Sequence, residues 1–66
     1  MRIEHEGIPY DVELRDDGSL DTVLRVGTRF LRFSPEGAEP YRGPDGAFTE
    51  ESFRMFFADV VVPELR

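Results

Sequence analysis

Residues 8–14 read Ile-Pro-Tyr-Asp-Val-Glu-Leu, and their polarity alternates strictly. Ile8, Tyr10, Val12 and Leu14 share one parity, while Pro9, Asp11 and Glu13 share the other. Period-2 alternation is the pattern of a strand with one buried face. Met1, Ile3 and His5 alternate in the same way with Arg2, Glu4 and Glu6. If Glu6-Gly7 closes a two-residue hairpin, His5 faces Ile8, Ile3 faces Tyr10 and Met1 faces Val12. The apolar residues then fall on one face, so turn and pattern agree on the register.

Two more turn signals extend the argument. Asp16-Asp17-Gly18 suits a three-residue loop with Gly in the left-handed position. It would set Leu14 opposite Leu20, Val12 opposite Thr22, Tyr10 opposite Leu24 and Ile8 opposite Val26. Gly27-Thr28 suits a type II′ turn, which places Val26 against Arg29, Leu24 against Leu31 and Thr22 against Phe33. The three turns describe one four-stranded antiparallel β-meander. Pro9 is the misfit. It has no N–H to give to a ladder, so pairing should be broken there or the strand bulged.

Residues 34–48 contain three Pro and three Gly, which disfavours a regular helix. Pro35-Glu36-Gly37 and Pro44-Asp45-Gly46 are turn signals. Glu39 to Arg42 offers a short edge strand. A helix is expected next, with Thr49 as N-cap and Glu50 and Glu51 in its first turn. Phe48 and Phe53 have the spacing of a hydrophobic staple. Phe53, Phe56, Phe57 and Val60 form one apolar stripe. Pro63 should end the helix near Asp59 to Val61, and Val60-Val61-Val62 could instead be extended. The expected fold is α+β: residues 1–66 form a single small domain, a four-stranded meander with the C-terminal helix packed on one face. Burial of the three Phe side chains against Ile3, Tyr10, Val12, Leu24 and Leu31 would contribute about 1.5–3 kcal/mol per side chain.

Composition narrows the function classes. The 66 residues carry 14 acidic and 8 basic side chains, a net charge of −6. Every basic residue is Arg. That balance disfavours direct contact with nucleic acid or anionic membranes. The absence of Cys rules out disulfides, thiolate metal sites and a Cys nucleophile, and it fits a cytoplasmic location. No apolar run is long enough to span a membrane. Met1 opens no signal-peptide core, and the layout suggests a complete protein.

Chemical motifs are sparse. Glu4-His5-Glu6 suggests a metal site, but on a strand His5 points away from both carboxylates, which fits a His at the core rim better. Asp16-Asp17-Gly18 resembles the start of a calcium loop but lacks the later ligands, so a solvated turn explains it better. No phosphate-binding Gly loop occurs. A nucleophilic triad would need a hydroxyl activated by His5. Ser19, Ser34, Ser52, Thr22, Thr28 and Thr49 are all accounted for by turns, caps or strands. The chain reads as a non-enzyme without a cofactor.

The polar face of the meander carries Glu4, Glu6, Asp11, Glu13 and Asp21 against Arg2, Arg15, Arg25 and Arg32, a near balance of cross-strand charge. Val23 and Phe30 interrupt it. Phe30 is either covered by the stem of Arg25 or part of a contact surface. Tyr41-Arg42 in the long loop is a second candidate contact, unless Tyr41 packs on the sheet edge and pins the loop. Val23, Phe30, Arg32, Tyr41 and Arg42 are therefore the candidate partner-binding residues. The reading is a small protein-interaction module that binds a protein partner or forms a homodimer, through a sheet edge or the Phe30 face. An acidic decoy that occupies a basic nucleic-acid-binding groove is the alternative. A small-ligand or metal binder is the third.

Overall fold

Three reversals of the chain at Glu6-Gly7, after Arg15 and at Gly27-Thr28 fold the first half back on itself. The computed structural model describes residues 1–15 and 17–66. Asp16, the first residue of the expected second turn, lies outside the described residues. Strands β1 (Arg2–His5), β2 (Ile8–Arg15), β3 (Thr22–Val26) and β4 (Arg29–Phe33) form one antiparallel sheet in the order β1-β2-β3-β4. The chain divides into two compact units, Met1–Pro35 and Glu36–Arg66.

The first hairpin has the expected register, with Ile3 opposite Tyr10 and His5 opposite Ile8. Reciprocal bonds join Met1 and Val12: the Met1 amino group donates to the Val12 carbonyl at 2.9 Å, and the Val12 N–H donates to the Met1 carbonyl at 2.8 Å. Glu6 and Gly7 have φ of 53° and 79°. Positive φ at both central residues identifies a type I′ turn, whose twist matches that of the flanking strands. The third hairpin also has the expected register, with Gly27 at φ 61°.

The second hairpin differs. Val12 pairs with Val26 and Leu14 with Leu24, so the pairing slides by four residues from the expected Leu14–Leu20 match. An even slide keeps every side chain on its own face, so hydrophobic alternation cannot detect it. Pro9 and the loop after Arg15 supply the physical reason. Strand hydrogen bonds alternate between the two sides of a strand. Because Met1 and Val12 are a bonded pair, Ile8, Tyr10 and Val12 aim their backbone groups at β1, and Pro9 faces the other way. The expected register would have put Pro9 against Arg25 in a pair that needs its missing N–H. In the observed register β3 ends opposite Val12, and the last bond on that side runs from the Gly27 N–H to the Asp11 carbonyl at 2.9 Å. The break in pairing expected at Pro9 is thus the end of the β2–β3 ladder.

The loop that absorbs the slide organises itself locally. The Ser19 N–H donates to Asp17 Oδ1 at 3.0 Å, and the Asp21 N–H donates to Ser19 Oγ at 3.2 Å. Such side-chain-to-backbone bonds compete with ladder formation. Leu20, expected in a strand, is instead 84% exposed. The inward face of the sheet buries Ile3, Val12, Thr22, Leu24 and Val26, while Ile8 and Leu14 near the ends of β2 remain exposed.

After β4 the chain makes two short turns rather than an edge strand. Pro35–Ala38 is a helical turn, α1, with Pro at its first position, where the missing N–H costs nothing. Glu39–Tyr41 continues as a 3₁₀ turn. The expected strand at Glu39 to Arg42 is therefore corrected to a 3₁₀ turn. Pro40 supplies a helix-compatible φ and cannot donate to a strand ladder.

Helix α2 (Glu50–Phe56) begins as expected. Thr49 Oγ1 accepts from the Ser52 N–H at 3.0 Å, and the Thr49 N–H donates to Ser52 Oγ at 2.8 Å, a reciprocal capping box. The staple rings of Phe48 and Phe53 lie 5.4 Å apart at 70°. The end of the helix does not follow expectation. A π-helical turn, Phe57–Val61, leads into α3 (Val62–Leu65), and helical backbone continues through Pro63. The Val62 N–H donates to the Phe57 carbonyl, five residues back. In an α-helix Pro63 would clash with the carbonyl four residues earlier, and the wider turn ahead of it removes that conflict. The turn adds one residue to the helical repeat. The apolar stripe therefore moves from Val60, which is half-buried, to Val61, which is fully buried.

Candidate functional site

The outer face of the sheet is a set of arginines clamped by carboxylates. Arg25 donates from Nη1 to Asp11 Oδ2 at 3.4 Å and to the Gly27 carbonyl at 2.7 Å, and from Nη2 to Glu13 Oε2 at 3.2 Å. Arg15 reaches Glu13 Oε1 at 3.3 Å. Arg32 donates to Asp21 Oδ2 at 2.8 Å, to Ser19 Oγ at 3.3 Å and to Asp17. These contacts follow from register: Glu13 lies directly opposite Arg25, and Arg32 lies opposite Val23, next to the turn that carries Asp17 to Asp21.

The electrostatics agree with the contacts. The Ser19 hydroxyl, followed by the Arg32 guanidinium, holds the Asp17 carboxyl well below the usual carboxylate range. A hydrogen bond to Glu13 raises Arg25, and hydrogen bonds to Asp21 and then Asp17 raise Arg32. Arg25 and Asp21 are half-buried and the other groups exposed, so water and salt still screen their pairing.

Phe30 stands apart from this lattice. It pairs across from Arg25, but the Arg25 head is turned toward Asp11, Glu13 and Gly27 on the β2 side. Phe30 remains 65% exposed. With Val23, Leu31, Arg15, Arg32 and Asp17 it lines an open depression of about 420 Å³. The structure thus brings three of the candidate residues, Val23, Phe30 and Arg32, to one place.

Tyr41 and Arg42 belong to the second unit and are engaged within it. The Tyr41 ring meets Phe56 edge-on at 5.6 Å, and its hydroxyl donates to Asp59 Oδ2 at 3.2 Å. Partial burial, then the charge of Asp59, pushes the Tyr41 hydroxyl pKa upward. The Arg42 guanidinium sits 4.8 Å above the Phe48 ring and donates to the Gly46 carbonyl at 2.8 Å. The pinning expected of Tyr41 at the sheet edge is supplied by the helix. Tyr41 thus fastens its loop to α2 and the π turn, while Arg42 closes residues 42–48 on themselves.

Sequence reasoning missed the Asp17-Ser19-Asp21 cluster as the seat of Arg32. The signal was present: short polar side chains at alternate positions are the makings of Asx and Ser turns. Among the described residues no three His, Cys, Asp or Glu side chains gather to hold a metal ion. His5 is half-buried, with Nε2 4.0 Å from Glu6 Oε1. Ser19, Thr49 and Ser52 spend their hydroxyls on turns and caps. No described helix is long and apolar enough to cross a membrane. Comparison with protein-family models, with curated proteins and with solved structures gives no match.

Proposed function

We propose that this chain is a small, non-catalytic protein-interaction module, and that its contact surface is the outer sheet face around Phe30. One observation carries the reading. A large aromatic side chain is left uncovered in an open depression, on a face where the neighbouring arginines are turned to carboxylates. An exposed aromatic flanked by Arg is the composition of a binding hot spot. Val23 and the stem of Arg32 extend the apolar floor. The clamped guanidiniums are already ordered, which lowers the entropy cost of placing them against a partner. Tyr41 and Arg42 serve in this reading as internal fasteners of the second unit.

The acidic-decoy alternative has less support. Asp11, Glu13, Asp17 and Asp21 are matched by Arg on the sheet, so these carboxylates form no uncompensated ridge that could stand in for phosphates.

The test is affinity capture from the source lysate with wild-type bait and with Phe30→Glu bait, read by mass spectrometry. A partner held by the first and lost by the second supports the reading. A partner held equally by both removes the Phe30 face from it. Capture that collapses in high salt and ignores Phe30→Glu would favour the decoy.

A further inference from the structure

The outer-face arginines Arg15, Arg25 and Arg32 each hold a carboxylate of the sheet or of its β2–β3 loop. Arg2 does not. It is exposed, as is Glu4 on the same face, and neither side chain makes a hydrogen bond or ion pair among the described residues. Both belong to β1, an edge strand. The reciprocal Met1–Val12 bonds set the phase of that strand. Met1, Ile3 and His5 aim their backbone N–H and C=O groups at β2, while Arg2 and Glu4 aim theirs at the open edge. The two residues with unmatched charge are therefore the two that offer backbone groups for a further strand.

We propose that β1 pairs antiparallel with β1 of a second copy of this chain, about a two-fold axis at Ile3. Arg2 then faces Glu4 of the second copy, and Glu4 faces its Arg2. Both are hydrogen-bonded positions, so each ion pair is backed by a reciprocal pair of backbone bonds. The contact is isologous, as a two-fold dimer requires. Charge also selects the register. Moving the axis to Arg2 sets Arg2 against Arg2, and moving it to Glu4 sets Glu4 against Glu4. The proposal rests on the reading of the chain as an interaction module. It adds the edge, the occupant and the alignment. Four backbone bonds and two exposed ion pairs make a small interface, so the dimer is weak and concentration-dependent.

Sedimentation equilibrium on the full chain tests this. The wild-type mass should rise from 7.6 kDa toward twice that value with concentration. Arg2→Glu alone and Glu4→Arg alone each turn two attractions into two repulsions, and each should raise the dissociation constant about tenfold or more. An equimolar mixture of these two variants should dimerise again, because one chain offers two carboxylates and the other two guanidiniums. Their far-UV circular dichroism should match the wild type. A wild-type chain that stays monomeric at millimolar concentration overturns the proposal, while partner capture through Phe30 stands or falls on its own assay. A dimer indifferent to both substitutions, or one that mixing does not restore, overturns the β1 alignment and leaves the interaction-module reading untouched.

Discussion

The π turn makes an energetic prediction that separates it from an uninterrupted α-helix. Continuous α geometry places Val60 on the stripe defined by Phe53, Phe56 and Phe57; the observed turn places Val61 there instead. Val61 is 0% exposed and Val60 is half-buried. Val61→Ala removes two buried methyl groups, worth about 1.6 kcal/mol at roughly 0.8 kcal/mol each. A residual cavity adds to that cost. Better helix propensity returns up to about 0.5 kcal/mol. The net loss should be about 1.5–2 kcal/mol. Val60→Ala removes about half the buried area and gains the same propensity, which leaves a loss of roughly 0.3 kcal/mol. Urea titration followed by circular dichroism measures both, provided the slope is unchanged. For a domain of this size Val61→Ala should lower Tm by about 6–16 °C and Val60→Ala by about 2 °C. The reverse ranking would refute the π turn and the shifted stripe together.

Other perturbations address separate links. Glu6 holds φ at 53° without a glycine's freedom, so Glu6→Asn should raise stability by about 0.5–1 kcal/mol, read as a higher Tm. Thr49→Ala removes one half of the capping box and should cost about 1 kcal/mol in the same titration. Asp17 titrates lower in the folded chain than its ordinary value of 3.8. Its contribution is complete above that value and is lost as pH falls through the depressed native range, because the unfolded chain takes up the proton first. Asp17→Asn should therefore flatten the acid limb of a stability–pH curve, and an unchanged limb would show that the Ser19–Arg32 seat contributes nothing.

Where local rules were decisive, the fold was legible in the residues. Glu6-Gly7 and Gly27-Thr28 are two-residue turns whose length leaves one register, and both hairpins have it. Thr49 and the Phe48–Phe53 pair likewise gave the start of α2. The failures arose where a rule with coarser resolution was asked to choose. Alternation has period 2, and the actual and expected β2–β3 registers differ by an even number of residues, so both satisfy it. Pro63 excludes an ordinary α-helical turn around it. It does not exclude a wider one, and the valines before it suited either a helix or a strand.

Pro9 shows how the ambiguity could have been resolved. It is incompatible with a paired central strand, yet the expected register keeps it in the middle of one. Taken as a constraint, its missing N–H disfavours any β3 alignment that carries the ladder to Pro9. The observed alignment ends before it, with the Gly27 bond to Asp11. The same logic separates the parts of the outer face. Charges placed opposite one another by register, such as Glu13 and Arg25, neutralise each other and are accounted for by the sheet itself. What the sheet leaves over is then informative: an aromatic without a cover at Phe30, and an unpaired Arg2 and Glu4 on an edge strand. These are the features on which the proposed contacts with another chain rest.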